Sequence, residues 1–453
     1  MIKNAEIGSA HLFGVKRITP VMGMCLLSSV SAELPAMKSD KPNIIIIMAD
    51  DLGYGDIGCF GSDHIKTPVL DRMAAEGLTF TDFYSNGTVC SPTRAALMTG
   101  NYQQRAGIEG VIRIEDGQHH QGGLSPNETT ISGLLNQHGY ATGLFGKWHL
   151  GYRTKYNPVH HGFVEFYGFL SGNVDYISHR DGSNTHDWWH QTDTIHESGY
   201  LTDLITDQAL LFMEKAREQP FFLLLSHAAP HFPFQGRGDP PDRLPGQTFE
   251  MYGSRPDKEV AYKEMIEVMD ENIGRIFTQL RDLGLDQNTF VFFCSDNGAL
   301  SLGSNGELRG HKSSLWEGGI RVPAIAWYPA EITPGSVTDT PVTTMDFFPT
   351  MLSLATIETD HTFDGVDVLP VLFSQEEINE RPLFWRYGSQ KAVRLGDWKY
   401  AVVEDEPYLF NLRQDKAEST NVVHQNPEMY QKLKGLLNDW EQEMNQYKQQ
   451  AIR

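Results

Sequence analysis

Cysteine is scarce in this chain, with four residues in 453, at positions 25, 59, 90 and 294. So few thiols exclude a disulfide framework; Cys59 and Cys294 read as two buried thiols, a single bridge between them being the alternative. After the N-terminal segment no run of about 18 apolar residues occurs, so the mature protein is expected to have no membrane span. Basic residues are also short: 37 Lys and Arg face 58 Asp and Glu, a formal net charge of −21. Nucleic acid is thereby excluded as a partner, because counterion release needs a basic footprint. An anionic small substrate is not excluded, since screening over roughly 8 Å lets a local cluster of cations override distant surface charge. Internal repeats are absent as well.

What is present is an ordinary globular composition, 40% hydrophobic and 21% charged, in a chain long enough for a large domain and a smaller one. At the N-terminus Lys3, Lys16 and Arg17 precede the apolar run Val21 to Val30 and a Val30-Ser31-Ala32 cleavage pattern. Residues 1–32 therefore read as a signal peptide, which predicts an exported, periplasmic or secreted protein and removes Cys25. Short apolar runs then alternate with helical periodicity, the pattern of an α/β fold with a large, mostly parallel sheet sandwiched by helices. Strands are predicted at Asn43 to Met48, Ala141 to Phe145, Phe221 to Leu225, Thr289 to Phe293 and Pro323 to Tyr328, each buried on both faces. Helices are predicted at Pro68 to Glu76, Thr129 to His138, Leu201 to Arg217 and Lys258 to Leu283. From about residue 376 the texture changes to short alternating strands and an amphipathic helix, Pro427 to Gln446. This divides the chain into a catalytic domain, 41–375, and a smaller C-terminal α+β subdomain, 376–453.

Ligands bind at the C-terminal edge of such sheets, and there the predicted strands end in polar residues. The first runs into Asp50-Asp51, the second into Gly146-Lys147-Trp148-His149, the third into His227 and His231, and the fourth into Asp296-Asn297. Each alone reads as a solvated strand end; together they point to one polar site. Asp50, Asp51, Asp296 and Asn297 supply hard oxygen donors, which suit Ca²⁺ or Mg²⁺ better than zinc, with calcium favoured because it accepts adjacent aspartates without strict octahedral geometry. Lys147 and His149, two residues apart on extended chain, share a side. Lys312 lies in a Gly- and Ser-rich loop.

The stretch Cys90-Ser91-Pro92-Thr93-Arg94, opening CSPTRAALMTG, places a thiol at a helix start with Arg94 one turn on, where backbone N–H groups and the dipole favour an anion. Such a cysteine reads either as a low-pKa nucleophile or as a target of modification. With NIIIIMADDLGYGD, GKWHLG, SHAAPHFP, SDNG and GHKSSLWEGGIRVP, the chain resembles the type I, formylglycine-dependent sulfatases of the alkaline phosphatase-like superfamily over nearly all of residues 43 to 403. The resemblance implies that Cys90 is oxidised to formylglycine by a maturation enzyme and acts as nucleophile and metal contact, with Arg94 holding it. It implies one Ca²⁺ on Asp50, Asp51, Asp296 and Asn297. It places Lys147, His149, His231 and Lys312 around the sulfate, with His227 as the alternative to His231. The implied chemistry is attack at sulfur by a hydrated formylglycine hydroxyl, a proton for the leaving oxygen from His231 or Lys312, and release of sulfate with His149 as base.

The long polar stretch from Ser171 to Gly199 is expected to carry substrate specificity. Asp175, Tyr176, His179, Arg180, Trp188 and Trp189 offer stacking surfaces and hydrogen bonds for a sugar, or else plug the core. The loop is similar to those of sulfatases acting on galactose or N-acetylgalactosamine sulfate, and a sulfated galactan such as carrageenan is the expected substrate. Two other readings stand beside it: a phosphonate monoester or phosphodiester hydrolase of the same superfamily, and a non-catalytic sulfoglycan-binding protein with unconverted Cys90.

Overall fold

A computed structural model describes residues 41–113, 122–300 and 302–451; the signal peptide read at 1–32, with Cys25, lies outside them. The chain lays down β1 (Asn43–Ala49), α1 (Pro68–Glu76), β2 (Leu78–Phe80), β3 (Phe83–Tyr84), α2 (Cys90–Thr99), α3 (Ile131–Gln137), β4 (Ala141–Lys147) and β5 (Glu165–Phe169). There follow β6 (Trp189–His190), β7 (Asp193–Thr194), α4 (Leu201–Ala216), β8 (Phe221–Ser226), α5 (Lys258–Asp282) and β9 (Thr289–Ser295). Then come α6 (Glu317–Ile320), β10 (Ala324–Trp327), β11 (Ser336–Thr338), β12 (Val342–Thr343) and α7 (Phe347–Leu354). The C-terminal part holds β13 (Leu383–Tyr387), β14 (Gln390–Leu395), β15 (Trp398–Val403), β16 (Glu406–Asn411) and α8 (Pro427–Ala451).

Ten strands form one sheet in the order β11-β2-β10-β9-β1-β8-β4-β5-β6-β7. Its centre, from β9 to β5, is parallel, but β10 runs antiparallel to β9 and β2, and β6 and β7 close the other flank antiparallel. The sheet is therefore mixed: an all-apolar run such as Ala324–Trp327 reveals burial on both faces and not the direction of its neighbours. Alternation along β1 feeds two cores. Ile45, Ile47 and Ala49 pack with α1, α4 and α5, while Ile44, Ile46 and Met48 pack with α2, α3 and α7. The apolar residues of α5 recur at Ala261, Met265, Met269, Ile273, Ile276 and Leu280, a stripe one helix face wide.

Register then aligns the strand ends. Met48 pairs with Ser226, Ala49 with Ser295, and Gly146 with Ser226, so the residues that follow, Asp50, His227, Asp296 and Lys147, emerge along one edge. Cys59 departs from expectation: it is free and exposed on a short 3-10 turn, whereas Cys294 is free and buried. Gly58–Phe60 is a single turn between glycines, ended by Gly61 at φ 110°, and none of its three residues is buried.

The four-stranded antiparallel sheet β13-β14-β15-β16 carries α8 across one face, with Val393, Tyr400 and Leu409 against Leu433, Leu437 and Trp440. A buried ionic ladder joins it to the large sheet's side of the molecule. Lys399 on β15 reaches both Glu317 and Glu418 at 2.9 Å, Arg321 pairs with Glu317 at 3.3 Å, and Arg394 with Asp82 at 2.6 Å. Burial acts to raise the pKa of Glu317, but Lys399, Arg321 and Arg394 outweigh it and hold the carboxyl at about 2. Glu418, sharing the same lysine, is pushed by burial up to about 7. Replacing Lys399 with methionine leaves buried Glu418 without its cation and Glu317 with its arginines alone, so Lys399→Met should lower unfolding free energy by about 3–5 kcal/mol. Urea titration followed by tryptophan fluorescence measures this; a midpoint matching wild type refutes the ladder as a structural tie.

Candidate active site

Helix α2 is buried along its whole length and begins at Cys90, after an extended Val89 with no side-chain cap. Gly100 ends it in the left-handed region at φ 69°, where an added Cβ would meet Phe348 at 2.8 Å. The first-turn N–H groups thus remain available beside the Cys90 thiol.

Arg94, one turn along, is the hub of the edge. Its Nε and one terminal nitrogen donate to Asp296 Oδ2 at 3.2 and 2.8 Å, and the other terminal nitrogen donates to Ser226 Oγ at 2.6 Å and to the Lys147 carbonyl at 3.3 Å. It also stands 3.7 Å from Asp50 Oδ1. Lys147 Nζ donates to Asp50 Oδ2 at 2.6 Å, and Lys312 Nζ to Asp51 Oδ1 at 2.5 Å and Cys90 Sγ at 3.3 Å. Sγ in turn donates to Asp50 Oδ1 at 3.4 Å. Asn297 donates to Asp51 Oδ1 at 2.7 Å, and the Asp51 amide to Asp296 Oδ1 at 3.2 Å. All these side chains are buried except Lys312, which is partly exposed.

The two histidines are held in defined tautomers by carbonyls. His149 Nε2–H donates to the Ile112 carbonyl at 3.0 Å, which leaves Nδ1, buried and without a partner, as a free proton acceptor. Burial, then Lys147 and Arg94, keeps its pKa well below the ordinary value, so the ring is neutral. Gly172 permits this placement: an added Cβ there would lie 2.7 Å from the His149 ring. His231 Nδ1–H donates to the Phe232 carbonyl at 2.9 Å, and its Nε2 faces Asp51 Oδ2 at 3.5 Å. A neutral imidazole nitrogen and a carboxylate oxygen are both acceptors, and a cation between them reconciles the pair. Asp51 at φ 66°, His149 at φ 56° and Ser313 at φ 70° all occupy the left-handed region without being glycine; strain of this kind gathers at functional sites.

Burial raises the Asp50 pKa to about 7, Lys147 opposing and Asp296 and Asp51 assisting. Asp296 shifts the other way: burial acts to raise it, but Arg94, Lys147 and Lys312 together pull it below the ordinary value. Ligand atoms of Asp50, Asp51, Cys90 and His231 lie within 4.8 Å of one another, a group able to hold a metal ion. Asp51 Oδ2 and Asn297 Oδ1 are buried without hydrogen-bond partners. Two orphaned oxygens beside two further carboxylates fit a hard, oxygen-seeking cation.

The residues expected from strand ends and from the cysteine motif therefore converge: Cys90, Arg94, Asp50, Asp51, Lys147, His149, His231, Asp296, Asn297 and Lys312. His227 does not join them. It is fully buried, both ring nitrogens lack a partner, and burial lowers its pKa to about 4. A cleft of about 430 Å³ opens over the site, lined by Cys90, His149, His231, Lys312 and Tyr152 among others. Another cavity, of about 460 Å³, lies by Asp82 and Arg394 away from these residues; its arginines are paired with carboxylates.

The 171–199 stretch departs from expectation. Trp188 is buried, stacked on His179 at 4.8 Å and edge-on to Tyr167 at 4.8 Å. Asp175 accepts the amides of Ile177, Ser178, Asp242 and Arg243, and the Tyr176 hydroxyl donates to the His231 carbonyl at 3.0 Å. Arg180 donates to the Asn184 carbonyl at 2.5 Å and Trp189 Nε1 to Asp187 at 2.6 Å. None of these six lines the cleft; Ser171, Gly172, Asn173 and Gly182 do. Arg243, Phe249, Met251 and Tyr252, which also line the cleft, come from the Pro- and Gly-rich 232–257 connection, a stretch without a motif or periodicity to mark it in the sequence. Ser226 was also missed; its signal was a lone hydroxyl closing an apolar strand beside His227.

The sulfatase family profile matches residues 42–357, and a profile described as the C-terminal region of N-sulphoglucosamine sulphohydrolase matches residues 310–450. N-acetylgalactosamine-6-sulfatase of Mus musculus is 35% identical over 411 residues, covering 84% of this chain and 76% of its own. The crystal structure of Ps i-CgsB, also solved in complex with k-i-k-neocarrahexaose, superposes with a TM-score of 0.81 at 30% identity, covering 88% of this chain and 92% of that one. The phosphonate monoester hydrolase of Agrobacterium radiobacter shares the fold, with a TM-score of 0.66 at 18% identity over 89% of this chain and 96% of that one. The chain belongs to the sulfatase family and is a sulfuric ester hydrolase.

Because Arg94 serves four strand ends through a planar fork, a lysine there keeps the charge and loses the geometry. Arg94→Lys should cost about 2 kcal/mol of stability and lower kcat/KM for a sulfate ester by more than about tenfold. Paired urea unfolding and hydrolysis assays test both; an unchanged variant disproves the hub.

Proposed function

We propose that the protein removes sulfate monoesters from a sulfated galactan-type oligo- or polysaccharide, carrageenan-like galactose sulfate being the best-fitting class. In this reading Cys90 is matured to formylglycine, and Asp50, Asp51, Asp296 and Asn297 hold one calcium ion. The observation that carries it is the surroundings of Cys90: a helix start, Lys312 at 3.3 Å, an Asp50 oxygen at 3.4 Å, and a cleft above. A thiol in that place is pushed up to about 12 by burial, with Asp50 adding to the rise and Lys147 and Lys312 opposing. It is a poor nucleophile as cysteine, so a direct thiolate mechanism is disfavoured and conversion to an aldehyde hydrate, which offers a hydroxyl there, is favoured. When bound, calcium supplies positive charge for the ester's oxygens and lowers the pKa of a neighbouring hydroxyl.

The chain's own groups do the rest. Lys147 and Lys312 offset charge on the sulfate oxygens in a preorganised site. Lys312 and His231 both lie on the cleft wall; Lys312 carries a proton for the leaving sugar oxygen at rest, whereas His231, its Nδ1–H held by the Phe232 carbonyl, must first gain one at Nε2. His149, neutral and with Nδ1 unpartnered, takes the proton that frees the sulfate. The galactan class is supported by the 30% identical neighbour solved with a neocarrahexaose, and by the 35% identical N-acetylgalactosamine-6-sulfatase. Residues 1–32 are proposed to direct export, which places the enzyme where such polymers occur.

Mass spectrometry of the active protein should find the Cys90 peptide about 18 Da lighter than its cysteine form, and Cys90→Ser should lose several orders of magnitude in kcat while still binding substrate. Full activity of Cys90→Ser defeats the reading. Assaying phosphodiesters and phosphonate monoesters in parallel separates it from phosphoryl chemistry.

Chelation should abolish turnover, and calcium should restore it better than zinc. Metal analysis showing zinc at these ligands contradicts the calcium assignment.

A further inference from the structure

The chain carries a formal net charge of −21, yet no aspartate or glutamate is among the described residues lining the cleft, whereas Arg113, Lys312 and Arg243 are. Lys312 belongs to the sulfate pocket. Arg243 does not: its contacts run to Asn173, Arg180 and Phe249 and not to the Asp50–Cys90 cluster.

Its backbone is fixed, the amides of Asp242 and Arg243 donating to Asp175 Oδ2 at 2.7 and 2.9 Å. The guanidinium lies 5.0 Å from the Phe249 ring centroid. Its two side-chain hydrogen bonds go to neutral oxygens, the Arg180 carbonyl at 2.9 Å and Asn173 Oδ1 at 2.6 Å. The Nε–H is buried with no partner, and the residue as a whole is 0% exposed. Burial holds its pKa below the ordinary arginine value, against the more distant pull of Asp175, Asp181 and Asp242.

The other buried arginines differ. Arg94 touches Asp296, and Arg321 and Arg394 touch Asp82. A buried cation without a contacting counter-ion is costly, and the distant Asp175 and the Phe249 ring relieve that cost only in part, since burial still holds the pKa below the ordinary value. What remains is a preorganised fork with unused N–H groups, at the edge of a substrate cleft and shielded from solvent.

We propose that Arg243 anchors a second anion subsite, one that binds a further sulfate or carboxylate group on the saccharide in addition to the ester being cleaved. The enzyme then takes polyanionic saccharides in preference to singly charged ones. This rests on the glycan-sulfatase reading above and specifies its substrate: a chain with at least one more anionic group within reach of the scissile ester.

The test compares matured wild type, Arg243→Gln and Arg243→Lys on a galactose monosulfate disaccharide, on its analogue with a second sulfate, and on one with a uronate carboxylate instead. Wild type should favour one or both doubly charged substrates, and the arm that wins identifies the anion. In Arg243→Gln the ratio of kcat/KM, doubly over singly charged, should fall about 10- to 100-fold through KM, the scale of one charge-assisted hydrogen bond. Arg243→Lys should recover part of it. Thermal melting accompanies each variant. A wild type without preference for a second anion overturns the proposal whatever the variants do, and so does an unchanged ratio in a folded Arg243→Gln. Failure of matured wild type on every sulfate ester is a different result, and overturns the glycan-sulfatase reading together with this extension of it.

Discussion

The site is organised around one guanidinium. Arg94 leaves a fully buried helix and hydrogen-bonds Asp296, Ser226 and the Lys147 carbonyl while standing near Asp50, so residues from β1, β4, β8 and β9 are positioned against a single side chain. Three carboxylates, of Asp50, Asp51 and Asp296, face three cations, of Arg94, Lys147 and Lys312. The cluster is close to balanced as it stands. A divalent ion held there would leave an excess of positive charge, and a singly charged sulfate ester would offset part of it. Burial strengthens each of these interactions and makes an incomplete set costly, which ties binding of metal and of substrate to the same electrostatic account.

Rigidity around that cluster comes from hydrogen bonds one step removed from the Asp50–Cys90 group. Tyr176 holds the His231 carbonyl, Ile112 fixes the His149 tautomer, and Asp175 gathers the amides that lead into Arg243. Three non-glycine residues in left-handed backbone, Asp51, His149 and Ser313, persist because packing and hydrogen bonds around them leave no relaxed alternative. On the far side of α6, the ladder from Glu317 through Lys399 to Glu418 secures the C-terminal sheet against the loop that carries Lys312.

The polar sheet edge was legible in the sequence because it is written locally. Apolar strands ending in Asp50, Lys147 or Asp296 announce both burial and polarity within a few residues, and the Cys90 helix carries its own start and stop. Strand direction was not legible, since Ala324–Trp327 has the same composition whichever way it runs. Nor was the lining of the cleft above that edge. The aromatic and charged residues between 171 and 199 suit a sugar site and a compact loop core equally, and the fold spent Trp188, His179 and Asp175 on the second. Arg243 and Tyr252 sit among Pro and Gly with no periodicity, and only the folding of that connection over the cleft gives them meaning. Pairings such as Lys399 with Glu317, 82 residues apart, are decided by three-dimensional register and leave no trace in spacing.

The acidic balance of the chain and its affinity for anions are compatible because they occupy different places. Carboxylates that pair with metal or cations sit at the floor of the site, where they are neutralised, while the cleft lining is free of acids among the described residues and carries Arg113, Lys312 and Arg243. The remaining acids lie outside it, largely on exposed surface, where solvent and salt screen them over roughly 8 Å. An approaching polyanion therefore meets repulsion that is weak and short-ranged, and then cations in a low-dielectric cleft, where attraction is stronger for the same separation. The proposed selectivity for multiply charged saccharides rests on that contrast: each further anionic group would gain inside the cleft more than it loses outside it, provided a buried donor such as Arg243 receives it.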